Sequence, residues 1–147
     1  MVRGHLSAFN LLGAALAFLM APAASGQSAA PTPAQAAPFV GTWVITMTEP
    51  EALKGSSQTI KIWENNGAVA ASVQNGRFPP NNVSSVFKDG DMLVLTISHS
   101  AQPPMVENGA PIWAVISLTR DGDAMKAAFM LERSQTIKRG IGKKQTN

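Results

Sequence analysis

Residues 39–48 read FVGTWVITMT and constrain the fold more than any other stretch. Phe39, Gly41, Trp43, Ile45 and Met47 fall on one face, and Val40, Thr42, Val44, Thr46 and Thr48 fall on the other. A period of two, rich in β-branched residues, marks a strand with one face turned to a core. The pattern returns along the chain, and strands are predicted over 58–64, 68–74, 83–88, 92–99, 112–119, 124–133 and 136–139. Asn65-Asn66-Gly67 joins the second to the third, because Asn and Gly accept the positive φ of a tight hairpin. Asp89-Gly90-Asp91 and Asp121-Gly122-Asp123 read as two further turns, since neither continues into the ligand series of a calcium loop. Pro79-Pro80 and Pro103-Pro104 mark loops, because proline donates nothing to a ladder.

The expected fold is all-β and antiparallel, with about eight strands in up-and-down order. A closed or nearly closed barrel removes the exposed sheet edges that such a chain would otherwise have to protect. A two-sheet sandwich is the alternative. The chain has 147 residues and no cysteine, so neither disulfides nor thiolate-bound metal are available to hold it together.

Residues 1–26 read as a secretory signal peptide. Arg3 and His5 open it, an apolar run follows over 8–20, and small residues end it at Ala23, Ala24 and Gly26, each an acceptable cleavage point. The run is shorter than the roughly 20 residues of a bilayer span, and the rest of the chain contains no transmembrane segment by this reading. The protein is therefore expected to be exported, to a periplasm or to the medium. Residues 27–38 read as a Pro/Ala-rich linker, residues 39–139 as the barrel domain and residues 140–147 as a basic tail.

The formal charge of +3 is unevenly placed. Residues 39–137 carry seven basic and nine acidic side chains, whereas 138–147 carry Lys138, Arg139, Lys143 and Lys144 and no acid. A slightly acidic body argues against a nucleic-acid platform, which needs basic residues along one folded face. Past the leader His99 is the one histidine, with no second histidine or thiol to complete a zinc site and no nucleophile–base spacing around it. No phosphate-cradling glycine loop is present. The chain is read as a non-enzyme with no cofactor and no metal.

Apolar residues on both faces of several strands point to a binding protein. Trp43, Ile60, Ile62, Leu95, Ile97, His99, Ile116 and Phe129 are the residues expected to line an interior for a small apolar or amphipathic ligand. Trp63 and Trp113 fall opposite their strands' aliphatic residues, and together they suggest an aromatic surface patch for a protein partner. These define two alternatives: a ligand carrier, or an interaction module without a ligand.

Gly41-Thr42-Trp43 at the start of the first strand, followed by short antiparallel strands, resembles the calycin group of lipocalins, avidin-like and fatty-acid-binding-like barrels. The resemblance implies that Gly41 and Trp43 open the first strand and that Trp43 closes the barrel floor. It also implies a basic residue from the end of the last strands packed on Trp43, here Arg133 or alternatively Arg139. The T-D-x-x-Y signature of lipocalins is missing, and the chain has no tyrosine.

Overall fold

The computed structural model describes residues 30–99, 106–107, 110–132, 134 and 136–146. The leader lies outside them. Ten strands follow one another: β1 (Gly41–Glu49), β2 (Ser57–Asn65), β3 (Ala68–Asn75), β4 (Asn81–Asn82), β5 (Ser85–Asp89), β6 (Met92–His99), β7 (Val106–Glu107), β8 (Ala110–Asp121), β9 (Ala124–Leu131) and β10 (Lys138–Lys144). Nine of them form one antiparallel path, β4-β3-β2-β1-β10-β9-β8-β6-β5, and β7 pairs with β8 beside it.

The two ends of that path are consecutive in the chain, which makes the sheet a barrel. β4 lies on β3 and β5 lies on β6. Between them the Val83 N–H donates to the Ala71 carbonyl at 2.9 Å, and the Ser84 N–H donates to the Thr96 carbonyl at 2.8 Å. One interrupted strand thus changes partner and draws the edges together, as edge protection requires. With β4 and β5 counted as that single span, and β7 set aside, eight spans run around the barrel. The single sheet rules out the two-sheet sandwich.

β1 sets the register on both sides, with Trp43 opposite Ile60 on β2 and opposite Lys144 on β10. Its alternation is realised as read: Trp43, Ile45 and Met47 are buried while Thr46 and Thr48 are exposed. Ile60, Ile62, Ala71, Val73, Leu93, Leu95, Ile97, Ile116, Leu118, Met125, Ala127 and Phe129 complete one contiguous core. Each large side chain so buried contributes about 1.5–3 kcal/mol. The β2–β3 hairpin turns where expected, with Asn66 at φ 51°. Residues 89–91 and 121–123 turn the β5–β6 and β8–β9 hairpins.

Two segments differ from the sequence reading. Residues 33–38, expected to be linker, and Phe39, expected to open the first strand, form a short α-helix α1 (Pro33–Ala36) and a 3-10 turn (Ala37–Phe39). Thr32 and Gln35 make a reciprocal capping box, and Ala36 and Phe39 enter the core. Alanine and one aromatic residue sufficed to dock a segment whose composition reads as linker.

The second difference is β10. Residues 140–144, expected to belong to a basic tail, extend the last strand and pair with β1 and β9 along their length. The inward positions of this strand are Lys138, Gly140, Gly142 and Lys144. A Cβ on Gly140 would stand 2.7 Å from Ile45 Cγ2 and 2.7 Å from the Thr46 carbonyl oxygen. A Cβ on Gly142 would stand 2.5 Å from Ile45 Cδ1. Ile45 fills the space that larger residues on β10 would need, so the strand carries no hydrophobic alternation to read.

No helix among the described residues is long and apolar enough to cross a membrane.

Candidate ligand cavity

The barrel has two unlike ends. The tight β2–β3, β5–β6 and β8–β9 turns lie at one, together with the start of β1 and the docked segment 30–39. The ends of β1, β3, β6 and β9 lie at the other.

The first end is closed by Trp43, which is fully buried. Its indole Nε1–H donates to the Phe39 carbonyl at 2.7 Å, tying the floor to the docked segment. The Arg120 guanidinium carbon lies 4.5 Å from the ring centroid and Lys144 Nζ lies 5.7 Å from it. Lys88 Nζ stands 5.4 Å from the Phe39 ring. Arg120 Nη2–H donates to the Gly122 carbonyl, while Nη1 is buried without a hydrogen-bond partner. The negative face of the indole takes the place of that partner, a contact worth about 1–2 kcal/mol when desolvated. Gly41, at φ 132°, has no side chain to displace the Lys144 stem lying across it.

Among the described residues the basic side chains on Trp43 are therefore Arg120 and, farther out, Lys144. Arg139 points outwards and pairs with Glu49 at 2.7 Å, and Arg133 lies outside the described residues. Arg120 continues the inward alternation Ala114, Ile116, Leu118, so its position was readable once β8 was extended to Asp121. Asp121 follows it on the rim. A hydrogen bond from Lys126, and then that ammonium's charge, hold its carboxyl below the ordinary carboxylate range.

Above the floor Trp43, Ile60, Ile62 and Leu95 are each at most 1 % exposed and belong to the one contiguous core. The packing ends near the open end in a cavity of about 180 Å³. Val73, Ile97, Ala114, Ile116, Phe129 and Leu131 form its apolar wall, and Gln58, Asn75, Asn81 and Lys138 form a polar rim. Of the residues expected to line a ligand, Ile97, Ile116 and Phe129 border this cavity. Trp43, Ile60, Ile62 and Leu95 instead fill the closed half. His99 ends β6, and its side chain lies outside the described residues.

The polar rim was missed in the sequence. Gln58 continues the inward run of Ile60 and Ile62 on β2, and Asn75 continues that of Ala71 and Val73 on β3. Period-two reading reaches both positions, but a polar residue at a strand end reads as the start of a loop. Lys138 lay in the strand predicted over 136–139, but it was counted there only as part of a basic cluster.

A second hollow of about 350 Å³ lies on the outside of β8, β9 and β10 among Ser117, Thr119, Lys126, Ala128 and Ile141. Trp113 is on the outer face of β8 and 40 % exposed. Trp63 is half-buried on the outer face of β2, with Lys61 Nζ 5.6 Å from its ring. β1, β10 and β9 separate these two strands in the sheet, so the tryptophans do not share one patch. The structure lends no support to a partner surface built from the pair.

One antiparallel up-and-down sheet, closed around a tryptophan floor with a basic residue on the indole, defines a calycin-like barrel. No protein-family model matches the chain, and no curated protein matches it in sequence. Among solved structures it is similar to secretory abundant heat soluble protein 4 from Ramazzottius varieornatus, with 14 % identity over 74 % of this chain and 96 % of that one and a TM-score of 0.45. It is also similar to a mutant of the fluorescent protein UnaG, with 12 % identity over 74 % of this chain and 97 % of that one and a TM-score of 0.43.

Proposed function

We propose that this chain is an exported carrier of one small amphipathic molecule. The observation that carries the reading is the cavity itself. A barrel of this size can be filled by its own side chains, and the closed half of this one is. Among the described residues the other half leaves a cavity of about 180 Å³, with an apolar wall and a polar rim. An apolar cavity of about 150 Å³ holds benzene, so the space suits a single ring or a short chain. Export rests on the leader pattern of residues 1–26.

The described residues contain no group of three His, Asp or Glu placed to hold a metal. Arg139–Glu49, Lys54–Glu51 and Lys126–Asp121 are exposed ion pairs, and none of the six residues is among those lining the cavity.

Thermal shift and titration calorimetry with a panel of six- to eight-carbon amphiphiles test the reading. Binding should raise the melting temperature, and Ala114→Phe, which fills the cavity from its wall, should abolish that rise. A panel without any shift, together with no ligand co-purifying in native mass spectrometry, would overturn it.

A further inference from the structure

We propose that the outer face of β9, β10, β1 and β2 docks the protein on an anionic lipid surface. Every residue of these four strands is described, and their outward charges are Lys126, Arg139, Lys143 and Lys61. The carboxylates of the same strands stand at strand ends. Glu49 ends β1, and Glu64 continues the inward alternation of Ile60 and Ile62 where β2 meets its turn. Lys126 pairs with Asp121 from β8 and Arg139 pairs with Glu49. Among the described residues no ion pair engages Lys143 or Lys61.

The register gathers three of the cations around one apolar side chain. Ile141 is 38 % exposed. Lys126 lies opposite it on β9, and Arg139 and Lys143 lie two residues to either side on β10. Val44, opposite Lys143 on β1, and Lys61 beside Trp63 on β2 extend the face. The excess of positive charge selects an anionic partner. The hollow of about 350 Å³ beside Ile141 selects a lipid surface over a soluble polyanion. Met92, Ala128 and Ile141 line it together with Lys126 and Arg139. The boundary between lipid headgroups and acyl chains covers apolar groups and cations at once, as it does on amphipathic helices. A hydrated polysaccharide answers only the charge. Tryptophan, here Trp63, is a favoured residue of that boundary. Each basic residue held near an anionic membrane strengthens binding about fivefold, so Lys143 and Lys61 together account for about 25-fold.

The test is cosedimentation of the exported chain, freed of the apolar leader at 1–26, with vesicles of phosphatidylcholine alone or mixed equally with phosphatidylglycerol. Binding to the mixed vesicles should be at least about tenfold tighter and should weaken as salt rises. Lys61→Gln and Lys143→Gln together should remove most of that preference, and Ile141→Ser should weaken binding at least about threefold. Lys88→Gln removes the same charge from β5, across the barrel from β10, and should leave binding unaltered. Ala114→Phe should also leave it unaltered, so this inference and the carrier reading fail separately. Circular dichroism establishes that each variant is folded. Equal binding to both kinds of vesicle, or binding to neither, would overturn the proposal. Preference surviving the double lysine variant would overturn the assignment to this face. Retention on heparin without binding to mixed vesicles would overturn the lipid surface in favour of a polysaccharide.

Discussion

Substituting alanine at Gly142 places a methyl group 2.5 Å from Ile45 Cδ1 and 3.3 Å from Met125 Cβ. Overpacking of this kind costs about 1–3 kcal/mol. Restricting the unfolded chain by replacing glycine returns about 0.4–1 kcal/mol. Gly142→Ala should therefore destabilise the barrel by about 1–2 kcal/mol. The clash involves the far end of one side chain, so it has a specific remedy. Ile45→Val removes Cδ1 and alone costs about 0.5–1.5 kcal/mol. The double variant should be little less stable than Ile45→Val by itself, a favourable coupling of about 1 kcal/mol.

Gly140 provides the control. A methyl group there meets Ile45 Cγ2 at 2.7 Å and the Thr46 carbonyl oxygen at 2.7 Å. Valine keeps Cγ2, and the carbonyl belongs to the β1 backbone. Gly140→Ala should cost at least about 2 kcal/mol, and Ile45→Val should not relieve it. Urea unfolding followed by far-ultraviolet circular dichroism measures all five variants, with midpoints compared at constant m. Additive costs for Gly142→Ala and Ile45→Val, or rescue of Gly140→Ala by Ile45→Val, would refute the proposed packing of β10 on β1.

Trp43→Phe removes the donor to the Phe39 carbonyl and the better π face for Arg120, and should lower stability by about 1–3 kcal/mol in the same urea assay. Acrylamide should quench Trp113 readily and Trp43 hardly at all, so Trp113→Phe should remove most of the accessible emission. Because Asp121 titrates lower folded than unfolded, its pairing stabilises above the ordinary carboxylate range, and that contribution disappears as pH falls through the folded value. The pair is exposed, so the effect is small and salt-sensitive. Lys126→Met should flatten that part of the acid limb measured by thermal melts.

Much of the fold was legible because the main strands alternate cleanly. The inward residues of β1, β2, β3, β6 and β9 follow directly from period two, and Asn66 turns its hairpin as its residue type requires. The Trp43 floor was legible from Gly41-Thr42-Trp43, but its basic partner was not, since Arg120 sits where the strand pattern runs into a turn. The cavity was legible only in part. Ile97, Ile116 and Phe129 could be read as inward, but nothing local separates a side chain that fills the core from one that borders space.

The amino-acid sequence by itself determined the strand alternation, the tight turns and which face of each long strand meets the core. Those properties depend on backbone geometry and on burial of neighbours one or two residues apart. Tertiary structure alone decided that residues 33–39 pack on the barrel, that the glycine-rich β10 closes it against β1, and that packing stops short below Gln58, Asn75, Asn81 and Lys138. Each of these depends on how side chains meet elements that are distant in sequence, as Ile45 meets Gly140 and Gly142, and that sum is made only when the barrel closes.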